Sequence, residues 1–79
     1  MKFAKLADHC RSQSLPTFDL TFKRIEEIIG EALPASAMRP QYWANTVAAR
    51  GPVRSAMIDT PYDTFLVEGS RRVQFRRRF

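Results

Sequence analysis

Ten residues, Thr21 to Gly30 (T-F-K-R-I-E-E-I-I-G), constrain the fold more than any other stretch of this chain. The Thr21 hydroxyl can accept a backbone N–H of a first helical turn, and glycine readily takes the left-handed conformation that ends many helices. Between them an apolar stripe recurs at helical spacing: Phe22, Ile25, Ile28 and Ile29. The pattern predicts a capped amphipathic helix whose isoleucines lie in the core.

The residues before this helix predict a second helix and a short strand. A helix within Met1–Gln13 is indicated by apolar residues at helical spacing, namely Phe3, Leu6, Ala7 and Cys10. Residues 12–16 break the pattern and predict a loop. Phe18-Asp19-Leu20, directly before the N-capping Thr21, then suits a brief strand.

The middle of the chain predicts two further helices. Leu33 to Ala37 can begin a short helix with Pro34 in its first turn, which Pro40 would interrupt. Between Val47 and Ile58, a third main helix is predicted to begin near Pro52. Its inward-facing residues would be Val47, Val53, Ala56 and Met57.

The C-terminal residues predict a β-hairpin. Tyr62–Glu68 and Arg71–Arg78 flank Gly69-Ser70, a glycine-first pair that suits a two-residue turn. Alternation in the second strand directs Val73 and Phe75 to the core and the arginines outward. We expect Phe65 and Val67 of the first strand to share that core face.

The order of elements therefore predicts a small α+β domain that is winged-helix-like and spans residues 1–79. The order is helix, short strand, helix, irregular stretch with a short helix, helix and C-terminal hairpin. One feature departs from the pattern, since about 20 residues separate the second and third main helices, where a helix-turn-helix has roughly 3–4.

Length and composition exclude several classes of protein. With 79 residues there is room for one modest core. We expect no membrane span and no secretory leader, because apolar runs of about 18 residues and a charged-then-apolar start are missing. The single cysteine, Cys10, cannot form an internal disulfide, which favours a cytoplasmic protein. The oligomeric state stays open, with a homodimer among the alternatives.

Charge is unevenly distributed along the chain. Residues 1–38 hold five cations and five anions, whereas residues 39–79 carry the entire net charge of +5. The cations of this second half are all arginines, at positions 39, 50, 54, 71, 72, 76, 77 and 78. Arginine forks match phosphates and guanine edges bidentately, so this distribution favours a nucleic acid as partner, against the alternative of a solvated basic surface.

Catalysis and metal binding find little support in the sequence. Asp8-His9-Cys10 contains the only histidine and the only cysteine, and adjacent residues diverge by about 100° on a helix. A zinc site needs about four ligands, usually in spaced pairs. We therefore expect neither an enzyme, nor a metal site, nor a cofactor.

Parts of the sequence resemble a small bacterial domain of unknown function. The similarity runs from Thr17 to Arg78 and rests on T-F-x-x-I-E-x-I-I-G-x-x-L-P-x-S-A, on Tyr42-Trp43-Ala44-Asn45 and on a basic V-x-F-x-R ending. Members of that family usually show W-W-x-N in the second motif, an aromatic residue at the position of Ala56, and Gly-Trp in place of Pro61-Tyr62. The family has no assigned reaction, so the resemblance bears on fold more than on function.

Three functions fit these patterns. The first is duplex-DNA binding, as in a small regulator of transcription, through the third helix and an arginine-rich wing; its candidate contacts are Arg39, Asn45, Arg50, Arg54, Ser55, Arg71, Arg72, Arg76 and Arg78. The second is a protein-interaction module that docks an acidic partner through Tyr42, Trp43 and the C-terminal arginines. The third is RNA binding, in which Tyr42 or Trp43 stacks on an unpaired base. A lone tryptophan in so small a protein also suits a packing anchor.

Overall fold

A three-stranded antiparallel sheet carries helices on one face in the computed structural model, which describes residues 3–45, 51–67 and 69–78. In chain order the elements are α1 (Ala4–Arg11), β1 (Thr17–Thr21), α2 (Phe22–Ile29), a 3-10 helix (Ala35–Met38), α3 (Pro40–Trp43), α4 (Arg54–Met57), β2 (Tyr62–Leu66) and β3 (Arg72–Arg77). The chain is thus a small α+β domain, as its sequence predicts. Among the described residues, no helix is long and apolar enough to cross a membrane.

β3 is the central strand of the sheet, whose order is β1-β3-β2. It pairs antiparallel with β1 from Thr17 opposite Arg76 to Thr21 opposite Arg72. On its other side it pairs with β2, for example Leu66 opposite Val73. The short strand before α2 therefore joins the C-terminal hairpin in one sheet.

α2 has the ends that its sequence predicts. The Thr21 hydroxyl accepts from the Arg24 backbone N–H at 3.1 Å, and Gly30 ends the helix with a φ of 80°. Ile25 and Ile29 are buried, but Ile28 is only partly buried at the margin of the core. The expectation that all three isoleucines are buried is wrong for Ile28.

α4 is shorter than the predicted third helix. It is a single turn, about 6 Å long, and residues 47–50 of the predicted span lie outside the described residues. Val53, Ala56 and Met57 are buried as expected. α4 contacts α1, so it lies within the helical layer rather than projecting from it.

The hairpin turns where predicted, with Gly69 at its tip in a positive φ of 77°. Val73 and Phe75 are fully buried, which confirms the core face of β3. The predicted core face of β2 is wrong, because the strand buries Tyr62 and Thr64 and leaves Phe65 42% exposed. Residues directly opposite in a ladder share a face, and Phe65 lies opposite the outward-facing Gln74.

Trp43 lies at the centre of the core and is fully buried. Its ring contacts those of Phe3, Phe22 and Tyr42 at centroid distances of 5.2–6.1 Å. Its Nε1 donates to the Ala37 carbonyl at 2.8 Å, so the polar atom of the indole is satisfied. This tryptophan is a packing anchor.

Gly51 allows two parts of the chain to approach closely next to Trp43. A Cβ at this position would lie 2.1 Å from the carbonyl oxygen of Gln41 in α3. Any larger residue would push α3 away from the segment that leads into α4, and the tryptophan is anchored in α3.

Candidate nucleic-acid interface

None of the described helices covers the face of the sheet opposite the core, which we call the outer sheet face. It is formed by the alternate residues of each strand, namely Thr17, Asp19 and Thr21 of β1, Asp63 and Phe65 of β2, and Arg72, Gln74 and Arg76 of β3. Arg72, Arg76 and Phe65 are exposed, and Gln74 is half-buried between them. Two predicted contact arginines thus lie on the central strand of one accessible surface.

Arg72 lies at the end of the outer sheet face nearest the hairpin tip, whereas Arg71, the residue before it, lies beside the helices. The Arg72 guanidinium is 3.8 Å from the Asp19 carboxylate, and both side chains are about half exposed. Such an exposed ion pair contributes at most about 1 kcal/mol, so a ligand can displace it. Arg71 is exposed and borders a groove that is also lined by Phe22, Lys23 and Met38.

Arg76 lies at the other end of this face and contacts the exposed aromatic ring. Its guanidinium carbon is 5.3 Å from the centroid of the Phe65 ring, and its Nη2 donates to Gln74 Oε1 at 3.2 Å. These contacts hold the side chains of Phe65, Gln74 and Arg76 together while leaving them accessible. Phe65 was not among the contacts predicted from the sequence, although the pairing implied by a turn at Gly69-Ser70 already places it opposite Gln74.

Arg78, a predicted contact, is instead part of an internal hydrogen-bond network. Its side chain is 25% exposed and donates to Asp63 Oδ1 at 2.7 Å. Further N–H groups donate to the carbonyls of Ile58 and Thr60 and to Asn45 Oδ1, at 2.6–3.0 Å. The Arg78 guanidinium also donates to the Asn45 backbone carbonyl at 3.1 Å, which brings its acceptors to five. Arg78 therefore joins the hairpin to the rest of the fold.

Asn45 is likewise unable to face a ligand. It is 1% exposed, its Nδ2 donates to the Tyr62 carbonyl at 2.6 Å, and its Oδ1 accepts from Arg78. Both ends of the amide are therefore satisfied inside the protein. Contact of Asn45 with an adenine edge would require this part of the core to open.

The remaining predicted contacts lie away from the outer sheet face or outside the described residues. Ser55 is exposed and Arg54 half-buried on the one-turn helix α4. Arg39 is exposed where it precedes α3. Arg50 lies outside the described residues. The structure thus brings together only part of the predicted set, chiefly Arg71, Arg72 and Arg76.

Tyr42 and Trp43, proposed from the sequence as docking or stacking residues, are not accessible. Tyr42 is 7% exposed and Trp43 is fully buried. A partner or an RNA base could reach them only by unfolding the core. Among the aromatic side chains that the structure describes, Phe65 is exposed and can take over such a role.

The Asp8-His9-Cys10 segment is not arranged for chemistry with a ligand. Cys10 is fully buried, and burial raises the pKa of its thiol to about 12, an effect that the Arg11 charge partly opposes. A thiol with so high a pKa is neutral and a poor nucleophile near pH 7. Among the described residues, no group of three or more His, Cys, Asp or Glu side chains could hold a metal ion.

Comparisons with protein-family models, with curated proteins and with solved structures find no match. The resemblance to a small bacterial domain therefore stays a prediction.

Proposed function

We propose that the protein binds duplex DNA through the outer sheet face. The observation that carries the proposal is the pair of exposed arginines, Arg72 and Arg76, at either end of one uncovered sheet surface, with Arg71 beside them. Arginine is the residue best suited to bidentate contact with phosphates and guanine edges. A sheet can dock in a DNA groove as a helix does.

The local charge supports this proposal. The side chain of Asp63 is already neutralised by Arg78 at 2.7 Å, so it does not oppose a polyanion. Asp19 offsets one arginine through its weak ion pair with Arg72. Arg71 and Arg76 then remain as excess positive charge, and the net charge of +5 would steer the protein towards DNA.

The proposal gives a smaller part to the third helix than the sequence suggests. A helix of one turn offers few side chains to a groove, and α4 has Ser55 as its exposed member. α4 lies in the helical layer with α1, away from the outer sheet face, and is not part of the proposed interface. We extend the proposal to a cytoplasmic regulator of transcription on the grounds of the lone, reduced cysteine and the arginine-rich half of the chain.

Fluorescence anisotropy with a labelled duplex at several salt concentrations tests the proposal. We expect log-linear loss of affinity with salt, and a slope that falls by about 0.9 for every phosphate that a variant no longer neutralises. The test variant replaces Arg71, Arg72 and Arg76 with serine. The matched control replaces three exposed cations of the helices, Lys5, Arg11 and Arg24, and so removes the same charge elsewhere.

The proposal predicts that the sheet variant loses at least about tenfold more affinity than the helix variant. Equal losses would mean that only overall charge matters, and no change in either variant would exclude the outer sheet face as a DNA contact. Circular dichroism of both variants checks that the fold is retained.

A protein partner is the second candidate, favoured by one specific observation. The groove beside Arg71 contains Phe22, Leu33 and Met38, with Met38 48% exposed and Lys23 at the rim. An acidic partner with apolar side chains would suit such a groove. Binding of such a partner would be abolished by replacing Met38, whereas DNA binding would be retained.

A further inference from the structure

We infer that β3 reads base edges in the major groove, with Arg72 and Arg76 each contacting a guanine and Gln74 contacting an adenine between them. This inference rests on the proposed DNA binding and names the class of site that the protein would select. The site is a duplex in which a central adenine has a guanine two base pairs away on each side. The pattern, G-N-A-N-G, is the same whichever way β3 runs along the DNA strand.

The spacing of the side chains fits the spacing of base pairs. Arg72, Gln74 and Arg76 are alternate residues of one strand, so they point to one face at intervals of about 6.8 Å. Successive base pairs rise by about 3.4 Å, so each side chain meets every second pair. A major groove about 12 Å wide admits a two-stranded ribbon, so β3 can enter it together with one neighbouring strand about 4.8 Å away.

The side-chain chemistry fits the same pattern. Arginine bonds bidentately to guanine O6 and N7, and glutamine to adenine N6 and N7. Gln74 Oε1 accepts from Arg76 at 3.2 Å, so these two head groups must separate for each to contact its own base. Phe65 lies directly opposite Gln74 in the ladder, where it could contact the methyl group of the thymine paired with that adenine.

The middle of the outer sheet face is poorly suited to a phosphate backbone. The central row across the three strands is Asp19, Gln74 and Phe65, which contains an acid, an amide and an aromatic ring. Arg72 and Arg76 lie outside this row. A phosphate backbone that crosses this row would bring its negative charges close to Asp19. In the major groove, by contrast, Gln74 can contact an adenine edge and Phe65 the methyl group of a thymine.

Selection from duplexes with a randomised core, followed by sequencing, tests the inference. We expect enrichment of G-N-A-N-G, and a loss of about 5- to 150-fold in affinity for each purine replaced by a pyrimidine, which corresponds to about 1–3 kcal/mol. Gln74→Ala should remove the preference at the central position alone. Arg76→Lys keeps the charge, so it should retain general DNA binding but weaken the preference for one guanine, because lysine lacks the planar fork of arginine.

The outcomes separate this inference from the proposal on which it rests. Binding of every duplex with equal affinity would overturn base reading by β3 and leave DNA binding intact. Enrichment of a sequence that Gln74→Ala and Arg76→Lys do not alter would also overturn it. A protein that binds no duplex would overturn both. Arg72 and Arg76 are exposed and Gln74 is half-buried on the outer sheet face. Circular dichroism verifies that each variant is folded.

Discussion

Replacing Arg78 with alanine should destabilise the protein strongly, because this side chain joins four segments of the fold. Its guanidinium donates to the Asp63 carboxylate, to Asn45 and to the carbonyls of Ile58 and Thr60. The substitution removes these bonds and leaves the Asp63 charge without its partner. It also frees Asn45 Oδ1, which is inside the core.

The expected magnitude follows from the geometry. A hydrogen bond to a charged group contributes about 1.5–3 kcal/mol, and breaking a buried ion pair costs about 3–5 kcal/mol. Arg78 and Asp63 are 25% and 31% exposed, so water compensates part of the loss. We therefore expect the free energy of unfolding to fall by about 2–4 kcal/mol, and the Tm of so small a domain by at least about 8 °C.

Thermal and urea unfolding of Arg78→Ala, followed by circular dichroism, measure this effect. Arg76→Ala is the matched control, because its guanidinium contacts the exposed Gln74 and Phe65 and should change stability by less than about 0.5 kcal/mol. Arg78→Lys should be intermediate, since one ammonium cannot reach all the acceptors. If Arg78→Ala melts within about 2 °C of wild type, the network does not stabilise the fold as argued.

Three further predictions concern the core, the ion pair of the outer sheet face and the buried thiol. Ile25→Ala should lower the free energy of unfolding in urea by about 2–5 kcal/mol, and Ile28→Ala, at a partly buried position, should lower it distinctly less. Equal losses in the two variants would contradict the difference in burial. Asp19→Asn should tighten DNA binding, because it frees Arg72 and removes a negative charge; weaker binding by anisotropy would refute this. Cys10 should react with thiol reagents only on unfolding. Folding raises the pKa of this thiol from 9.0 to about 12, so its contribution to the free energy of unfolding should be complete below about pH 9 and be lost as the pH rises through this interval. A free energy of unfolding that does not change up to about pH 11 would contradict the effect of burial.

The parts of the fold that local chemistry determines could be predicted from the sequence. α2 begins at Thr21 and ends at Gly30 because a hydroxyl cap and a left-handed glycine act within a few residues. The core face of β3 followed from the alternation around Val73 and Phe75. The close approach of Gly51 to Gln41 did not follow, because a tertiary contact leaves no periodic signal in the sequence.

The buried face of β2 is decided by strand pairing and not by composition. Phe65 is apolar and Thr64 is polar, yet Thr64 is the buried one, its hydroxyl donating to the Trp43 carbonyl. A turn at Gly69-Ser70 fixes the ladder and places Phe65 opposite Gln74, on the outer face. The candidate site was correspondingly incomplete, since it lacked Phe65 and Gln74.

The roles of Arg78 and Asn45 could not be deduced from residue type. Arginine and asparagine are typical of DNA contacts, but they are equally able to satisfy carbonyls at a junction between segments. Arg78 and Asn45 are 33 residues apart in the chain, and their contact depends on how the hairpin packs. The tertiary structure is needed to distinguish these internal side chains from the exposed Arg72 and Arg76.

An NMR titration of the labelled protein with a short duplex tests the central claim most directly. If the outer sheet face binds DNA, the resonances that shift most will be those of Phe65, Arg72, Gln74 and Arg76, with those of α1 nearly unchanged. Shifts confined to α1, or to the groove beside Met38, would contradict binding by the sheet, and an unchanged spectrum at saturating duplex would contradict DNA binding altogether.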